Sequence, residues 1–196
     1  MAESSTDQRN TDIRLNIIVA ADAKRGIGQN GTLPWSLPKE TNYYHGMINS
    51  VSPGKQNAII IGRITYASIH DPRDYEKLLK IVVTRGAAPE GAPQPNVRYA
   101  VSFEDALEVL RKEMKLRDIE TVWSLGGSKI YQETLDSPYL HRIYLTNVLA
   151  EFPCDTFFPE FDKSKFNRVT DERVDPNVQT DKGVQFQVEI FEKIRS

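Results

Sequence analysis

Glu40 is the residue of this sequence whose surroundings could give it proton chemistry. It is the only acid between Gln29 and Tyr44, and Leu33, Trp35, Leu37, Tyr43 and Tyr44 around it are apolar or aromatic. A carboxylate among such neighbours has a raised pKa and can hold or relay a proton near neutrality. A plainer reading stands beside this one. Pro38 fits the first turn of a helix, where a missing N–H costs nothing, and an acid two residues on meets the positive end of the helix dipole. Two glycine patterns bear on ligand binding. Gly26-Ile-Gly28-Gln-Asn-Gly31 has the G-x-G-x-x-G spacing that opens a helix onto a dinucleotide pyrophosphate. Pro34 and Pro38 follow it, however, and two prolines four residues apart cannot lie within one uninterrupted helix. These glycines are therefore expected in a long mobile loop. Gly126-Gly127 separates a strand-like run from a helical one, where it lets backbone approach a ligand with a helix N-terminus facing any phosphate. The same pair also reads as a plain tight turn.

The elements that must position these residues follow from periodicity. Leu15 to Ala21 is a short apolar, β-branched run and reads as a strand buried on both faces. The glycine-proline loop comes next, then a helix from Pro38 to about Asn49. Asn57 to Gly62 and Leu78 to Thr84 are further buried strands, with a short helix starting at Arg63 between them. Gly86 to Asn96, rich in glycine, proline and alanine, is expected as a surface loop. After a short strand at Val97 to Val101, Ser102 has the character of an N-cap with Asp105 three residues on. Phe103, Ala106, Leu107, Leu110 and Met114 recur at spacings of three and four, so an amphipathic helix packs there on a sheet. Ile119 to Leu125 and Arg142 to Val148 are strands, Asp155 to Pro159 is turn-like, and strands are expected near Phe166 to Arg173 and Val184 to Ile194. The last alternates apolar and polar residues, which suits an antiparallel strand at or near a sheet edge. Strands alternating with helices, followed by strands alone, indicate an α/β fold: a mostly parallel central sheet with antiparallel C-terminal strands and helices on both faces.

Composition narrows the function. The 196 residues suit a single domain over residues 13–196 behind a polar stretch, residues 1–12, expected to be disordered. That stretch has no apolar core, so it resembles neither a secretory signal nor an anchor. A formal net charge of −2 gives no general attraction for nucleic acid or anionic membrane. The single cysteine, Cys154, excludes an internal disulfide and offers no metal cluster, so a reducing, cytoplasmic setting is expected, with no metal site.

Leu33-Pro34-Trp35 with an acid five residues later, Ile61-Gly62-Arg63 with Thr65, Gly126-Gly127 with Tyr131, and Asp155-Thr156-Phe157-Phe158-Pro159 occur in that order. Jointly they resemble the dihydrofolate reductase family, over a span from about Leu15 to Ile194. The resemblance implies the same fold and the NADPH-dependent reduction of a C=N bond, taking 7,8-dihydrofolate to tetrahydrofolate, in a monomer whose partner is a small pterin or imine. It also implies roles. Glu40, Thr146 and Trp35 form the catalytic set, with Glu40 binding the pterin's amino and ring nitrogens and Thr146 supporting it, partly through water. Ile18, Val19, Leu33, Thr41, Tyr44, Ile69 and Leu125 would line the substrate side. On the cofactor side, Ala20 and Ile27 match residues whose backbone grips the nicotinamide carboxamide, and Gly28 to Trp35 match a mobile loop over the ring. Leu125, Gly126, Gly127 and Tyr131 match the segment beside nicotinamide and pyrophosphate, where the family has a cis Gly-Gly bond, and Ser128, Lys129 and Ile130 go with it. Arg63 and Thr65 match phosphate contacts; Thr84 and Arg85 match the end of the third strand, where an arginine meets the 2′-phosphate. A guanidinium is suited to bidentate phosphate binding.

The chain departs from the family on the substrate side. The family arginine that binds the α-carboxylate of the folate glutamate falls, counting back from Thr84-Arg85, on Leu78. Arg73 or Lys77 could substitute only through a rebuilt loop. Thr41 stands where the family has an apolar side chain and Tyr44 where it has phenylalanine. Two alternatives follow: a paralogue that reduces another imine or a small pterin without a glutamate tail, and a non-catalytic NADPH-binding module.

Overall fold

The structure, a computed structural model, describes residues 12–69, 71–86 and 94–195. The expected N-terminal tail, apart from Asp12, and most of the expected loop between Gly86 and Asn96 lie outside them. The strands are β1 (Leu15–Ala21), β2 (Gly26–Gly28), β3 (Gln56–Gly62), β4 (Leu79–Val83), β5 (Val97–Ala100), β6 (Ile119–Ser124), β7 (Leu140–Val148), β8 (Thr156–Phe157), β9 (Phe166–Val169), β10 (Gln179–Asp181) and β11 (Val184–Lys193). The helices are α1 (Pro38–Asn49), α2 (Arg63–Ala67), α3 (Phe103–Leu116) and α4 (Ser128–Asp136).

The main sheet runs β10-β11-β7-β1-β6-β3-β4-β5, with β9 also paired to β11. From β7 to β5 the pairing is parallel, and β11 turns antiparallel against β7, β9 and β10. The expected parallel sheet with an antiparallel end is therefore present, and β11 is next to the edge as its alternation requires. Strand alternation then sends side chains to two faces. On one, Ile18, Ile59, Ile61, Val82, Trp123 and Leu125 pack against Met47 and Ile48 of α1. On the other, Leu15, Ile60, Leu79, Ile81 and Val122 pack under the α3 stripe of Phe103, Ala106, Leu107, Leu110 and Met114, joined by Ile130 of α4. Each such isoleucine or leucine taken from water contributes about 1.5–3 kcal/mol, enough to fix which face a strand presents. At the head of α3, Ser102 Oγ accepts from the Asp105 N–H at 3.1 Å, the cap that the sequence implied, and the Asp105 carboxylate accepts from Val101 N at 2.9 Å.

Four sequence expectations are corrected. The stretch read wholly as loop contains β2, and the Asp155–Pro159 turn contains β8; the two pair antiparallel. Strands of three and two residues are too short for alternation to register, and this approach depends on a missing side chain: a Cβ on Gly26 would stand 2.4 Å from Cys154 Sγ. The third strand begins at Leu79, because Leu78 N is engaged by Tyr75 O in the preceding turn. The strand expected to reach Arg173 stops at Val169, where Asp171 takes Arg173 N and Arg173 Nε into a local turn. β10 has no counterpart in the sequence reading.

Gly126 joins β6 to α4 with φ of +82°, and a Cβ there would meet the Tyr131 ring at 2.5 Å. Gly126→Ala is expected to destabilise the protein by about 1–3 kcal/mol through strain and overpacking, read as a lowered midpoint in urea unfolding.

Candidate active site

The candidate site lies where the carboxyl ends of the parallel strands meet α1. The chain leaves β1 toward β3, β4 and β5 and returns to insert β6 beside β1, so the strand order reverses there, the usual position of a ligand crevice in an open α/β sheet. Pro38 opens α1 as its first residue, and the helix start receives its cap from far away: the carboxylate of Asp181 in β10 accepts from Lys39 N at 2.6 Å. Glu40 follows in the same turn and is only 6% exposed. Thr146 of β7, opposite Ala20 in the ladder, donates its hydroxyl to Glu40 Oε1 at 3.2 Å.

Burial raises the Glu40 pKa to about 7, and the Thr146 bond opposes that rise without cancelling it. The carboxyl group is thus divided between its two protonation states near neutrality, as its apolar neighbours implied. Trp35 is buried against Phe152, with ring centroids 5.2 Å apart, and its indole N–H has no hydrogen-bond partner among the described residues. Trp35 sits in the adjoining cluster with Leu37, Val148 and Phe186, with Ala20 against it.

Between Asp22 and Leu33 the segment is held chiefly by carboxylate side chains that accept backbone N–H groups. Asp22, buried just beyond β1, accepts from Gly26 N at 2.7 Å, Lys24 N at 2.9 Å and Phe152 N at 2.9 Å. Asp155 accepts from Asn30 N at 2.7 Å, and its own N–H donates to Gly28 O at 3.0 Å. Sequence reasoning passed over Asp22, although an acid directly after a buried strand was a usable signal. Ile27 lies half-buried between Gly26 and Gly28, and Leu33 is 55% exposed at the far end of the segment.

Three glycines form the other wall. Gly62 N donates to Gly126 O at 2.7 Å, which joins the ends of β3 and β6, and the Gly126-Gly127 bond is cis. A Cβ on Gly127 would lie 3.2 Å from Thr65 Oγ1 and one on Gly62 3.5 Å from Gly126 O, so side chains there would fill the space between β3, β6 and α2. This glycine-floored space fits an extended dinucleotide whose phosphates need close backbone approach. Around it, Arg63 and Thr65 begin α2, Thr84 is buried beyond β4, and Arg85 beside it is exposed. Ser128 donates to Phe157 O at 2.7 Å, tying α4 to β8, while Lys129 points outward to Glu133 at 3.6 Å. Ile130 belongs to the core under α3, and Tyr131 donates to Ile18 O at 3.0 Å from a buried position. These last two side chains anchor α4 in the core.

The substrate-side residues also divide. Ile18, Leu125 and Leu78 belong to the α1-side cluster, and Tyr44 and Ile69 pack against it half-buried. Val19 joins Ile17, Tyr131 and Leu145 on the opposite face, so it could meet a ligand near Glu40 only through its main chain. Thr41 is exposed and turns its hydroxyl back to Leu37 O at 3.0 Å. Leu78 is 2% exposed in the apolar core. Arg73 is exposed and engaged by Asp71, to whose carboxylate it donates from Nε at 2.9 Å and Nη2 at 2.6 Å, among other bonds. Tyr75, whose hydroxyl lies 3.2 Å from that of Tyr44, and Lys80 carry no sequence signal that singles them out.

A buried carboxylate at the head of the first helix and a glycine-floored crevice at the strand ends mark the candidate ligand site of an α/β enzyme, at the switch point of a mixed sheet. A family model described as dihydrofolate reductase matches residues 14–193. The chain is 38% identical over 184 residues to the dihydrofolate reductase of Aedes albopictus, covering 92% of this chain and 98% of that one, and 38% identical over 184 residues to that of Sus scrofa, covering 91% and 97%. A solved structure of Schistosoma mansoni dihydrofolate reductase superposes with a TM-score of 0.80 at 30% identity, covering 93% of this chain and 99% of that one. The chain belongs to the dihydrofolate reductase family.

The buried Glu40 makes a pH prediction with a definite sign. Its folded pKa of about 7 is above the ordinary 4.5, so the native state binds the proton more tightly than the unfolded chain does. Stability from this group is then full below about pH 4.5 and is lost as the pH rises through 7, by an amount on the order of 3 kcal/mol. Glu40→Gln should remove that loss. In urea titrations the variant is expected to gain on the wild type between pH 5 and 8, and a constant difference across that range would contradict the assignment.

Proposed function

We propose that the protein reduces the C=N bond of 7,8-dihydrofolate to give tetrahydrofolate, with NADPH as reductant. The observation that carries this reading is the buried Glu40 carboxyl on Thr146, set beside the crevice floored by Gly62, Gly126 and Gly127. NADPH, when bound, supplies the hydride. The protein's residues orient the substrate, exclude water and manage the proton that balances that hydride at the imine nitrogen. A carboxylate at Glu40 can accept two N–H bonds from the amino group and ring nitrogen of a pterin, which fixes the ring's orientation. With its pKa at about 7, the same group also takes or returns a proton at little cost. Burial among Trp35, Leu37 and the α1-side cluster keeps bulk water from the reacting carbon, and orientation of this kind supplies much of such a reaction's acceleration. Backbone of Ala20, Ile27, Gly126 and Gly127 would hold the nicotinamide end, and Arg63, Thr65 and Arg85 the phosphates.

Dihydrofolate is favoured over a different imine because the matched relatives are dihydrofolate reductases over nearly their whole length. A purely binding role gains nothing from keeping a carboxyl group buried at this cost. Purified protein should consume NADPH in the presence of dihydrofolate and yield tetrahydrofolate by chromatography. The absence of that product would defeat the reading.

Two substitutions separate the substrate side from the cofactor side. Glu40→Gln should lower the rate of reduction by about 10²–10⁴-fold while NADPH affinity, followed by fluorescence, stays near the wild-type value. Equal loss of both would place Glu40 elsewhere. Arg85→Ala should weaken NADPH by about tenfold or more and leave NADH almost unchanged, since only the former carries the 2′-phosphate. An unaltered preference between the two would reject the phosphate role.

A further inference from the structure

Asp22 is a buried carboxylate that no step of the reaction uses. It is 5% exposed just beyond β1, and it accepts backbone N–H groups from two separate stretches of chain. Oδ1 takes Lys24 N at 2.9 Å and Gly26 N at 2.7 Å, and Oδ2 takes Phe152 N at 2.9 Å from 130 residues away. Main-chain bonds follow both links. Asp22 N donates to Gly26 O at 2.9 Å, and Ala23 N donates to Ala150 O at 3.0 Å. Within the turn so formed, Arg25 stands at φ of +66°, a conformation that a residue with a side chain holds only where its surroundings impose it. A Cβ on Gly26 would come 3.0 Å from Asp22 Oδ1, so the carboxylate is seated where only glycine leaves room.

The two stretches lead to different parts of the candidate site. Gly26 opens β2, and Ile27 beside it would hold the nicotinamide end through its backbone. Phe152 packs on Trp35 with ring centroids 5.2 Å apart, in the cluster that also holds Leu37 and Ala20. Trp35 thus closes the segment that Gly26 opens. One carboxylate grips the start of that segment directly and its end through Phe152. We propose that Asp22 is a positioning residue that fixes both ends of residues 26–35 as one unit over the nicotinamide half of the cofactor, acting through backbone rather than by touching a ligand. The proposal rests on the cofactor reading given above. A carboxylate suits this role because both of its oxygens accept, whereas an amide has one acceptor and one donor. Asp22→Asn can therefore keep Oδ1 on Lys24 and Gly26 but turns an NH₂ toward Phe152 N, cutting the link to Trp35 alone; Asp22→Ala cuts both links.

The test separates the two halves of the cofactor. Asp22→Ala should weaken NADPH by about ten- to a hundredfold, the range of lost charge-assisted hydrogen bonds, and leave the affinity for adenosine 2′,5′-bisphosphate, which lacks the nicotinamide half, almost unchanged. Asp22→Asn should lower kcat about tenfold and shift NADPH affinity far less. Loss of affinity for both compounds, or for neither, overturns the proposal, as does an asparagine variant that binds NADPH no better than the alanine variant. Hydrogen exchange on the unmodified protein is independent of whether the variants fold. The Lys24, Gly26 and Phe152 amides should gain protection together, by about tenfold or more, when NADPH is added, and gain none from the bisphosphate. Protection of Gly26 without Phe152, or of neither, also overturns it. If the wild-type protein binds no NADPH, the cofactor has been misread and the role of Asp22 falls with it; NADPH binding with an indifferent Asp22→Ala rejects only the latter.

Discussion

Keeping the Glu40 carboxyl out of water is the constraint on which the rest of this site depends. A carboxylate moved into an apolar interior pays a desolvation penalty of several kcal/mol unless it is neutralised or bonded. Here the bond from Thr146 offsets only part of it, and the pKa settles at about 7. The arrangement around it follows from that need. α1 must begin where the β1 ladder delivers it, Thr146 must stand opposite Ala20 in the adjacent strand, and Asp181 must reach back to cap the helix from β10. A group that is half protonated at neutral pH is useful to a reaction in which proton and hydride arrive separately.

The opposite wall is governed by space rather than charge. Gly62, Gly126 and Gly127 leave the ends of β3 and β6 bare, and the packing of Tyr131 and Ile130 beneath them fixes the α4 helix without filling the crevice. Asp22 and Asp155 serve the remaining side by accepting backbone N–H groups that the short β2–β8 pair cannot satisfy. A glycine-rich segment has little side-chain packing to order it, so these carboxylates supply the definition that a core would otherwise provide.

Much of this was legible from residue order. The alternation in β11, the stripe on α3, the prolines that bar a phosphate-binding helix after Gly31, and the isolation of Glu40 all led to the observed arrangement, since each is a local pattern with one dominant physical reading. The misses share a cause as well. β2 and β8 are too short to show a period, the Asp171 turn ends a strand that composition would have continued, and the Tyr44–Tyr75 contact joins residues 31 apart. Lys80 was invisible because a lysine in an apolar run is ordinarily read as a solvated position on a strand face.

The sequence by itself determined the class of fold, the two glycine-rich segments and the identity of the buried acid, because hydrophobic periodicity and the exclusion of charge are properties of consecutive residues. Only the tertiary structure decided which groups meet. It put Thr146 under Glu40 from 106 residues away, turned Val19 to the far face, closed Leu78 into the core and pointed Lys80 inward to a cavity. Those outcomes depend on strand register and on which face each strand presents, and register is settled only when a strand's apolar pattern is matched to its neighbours and its turns.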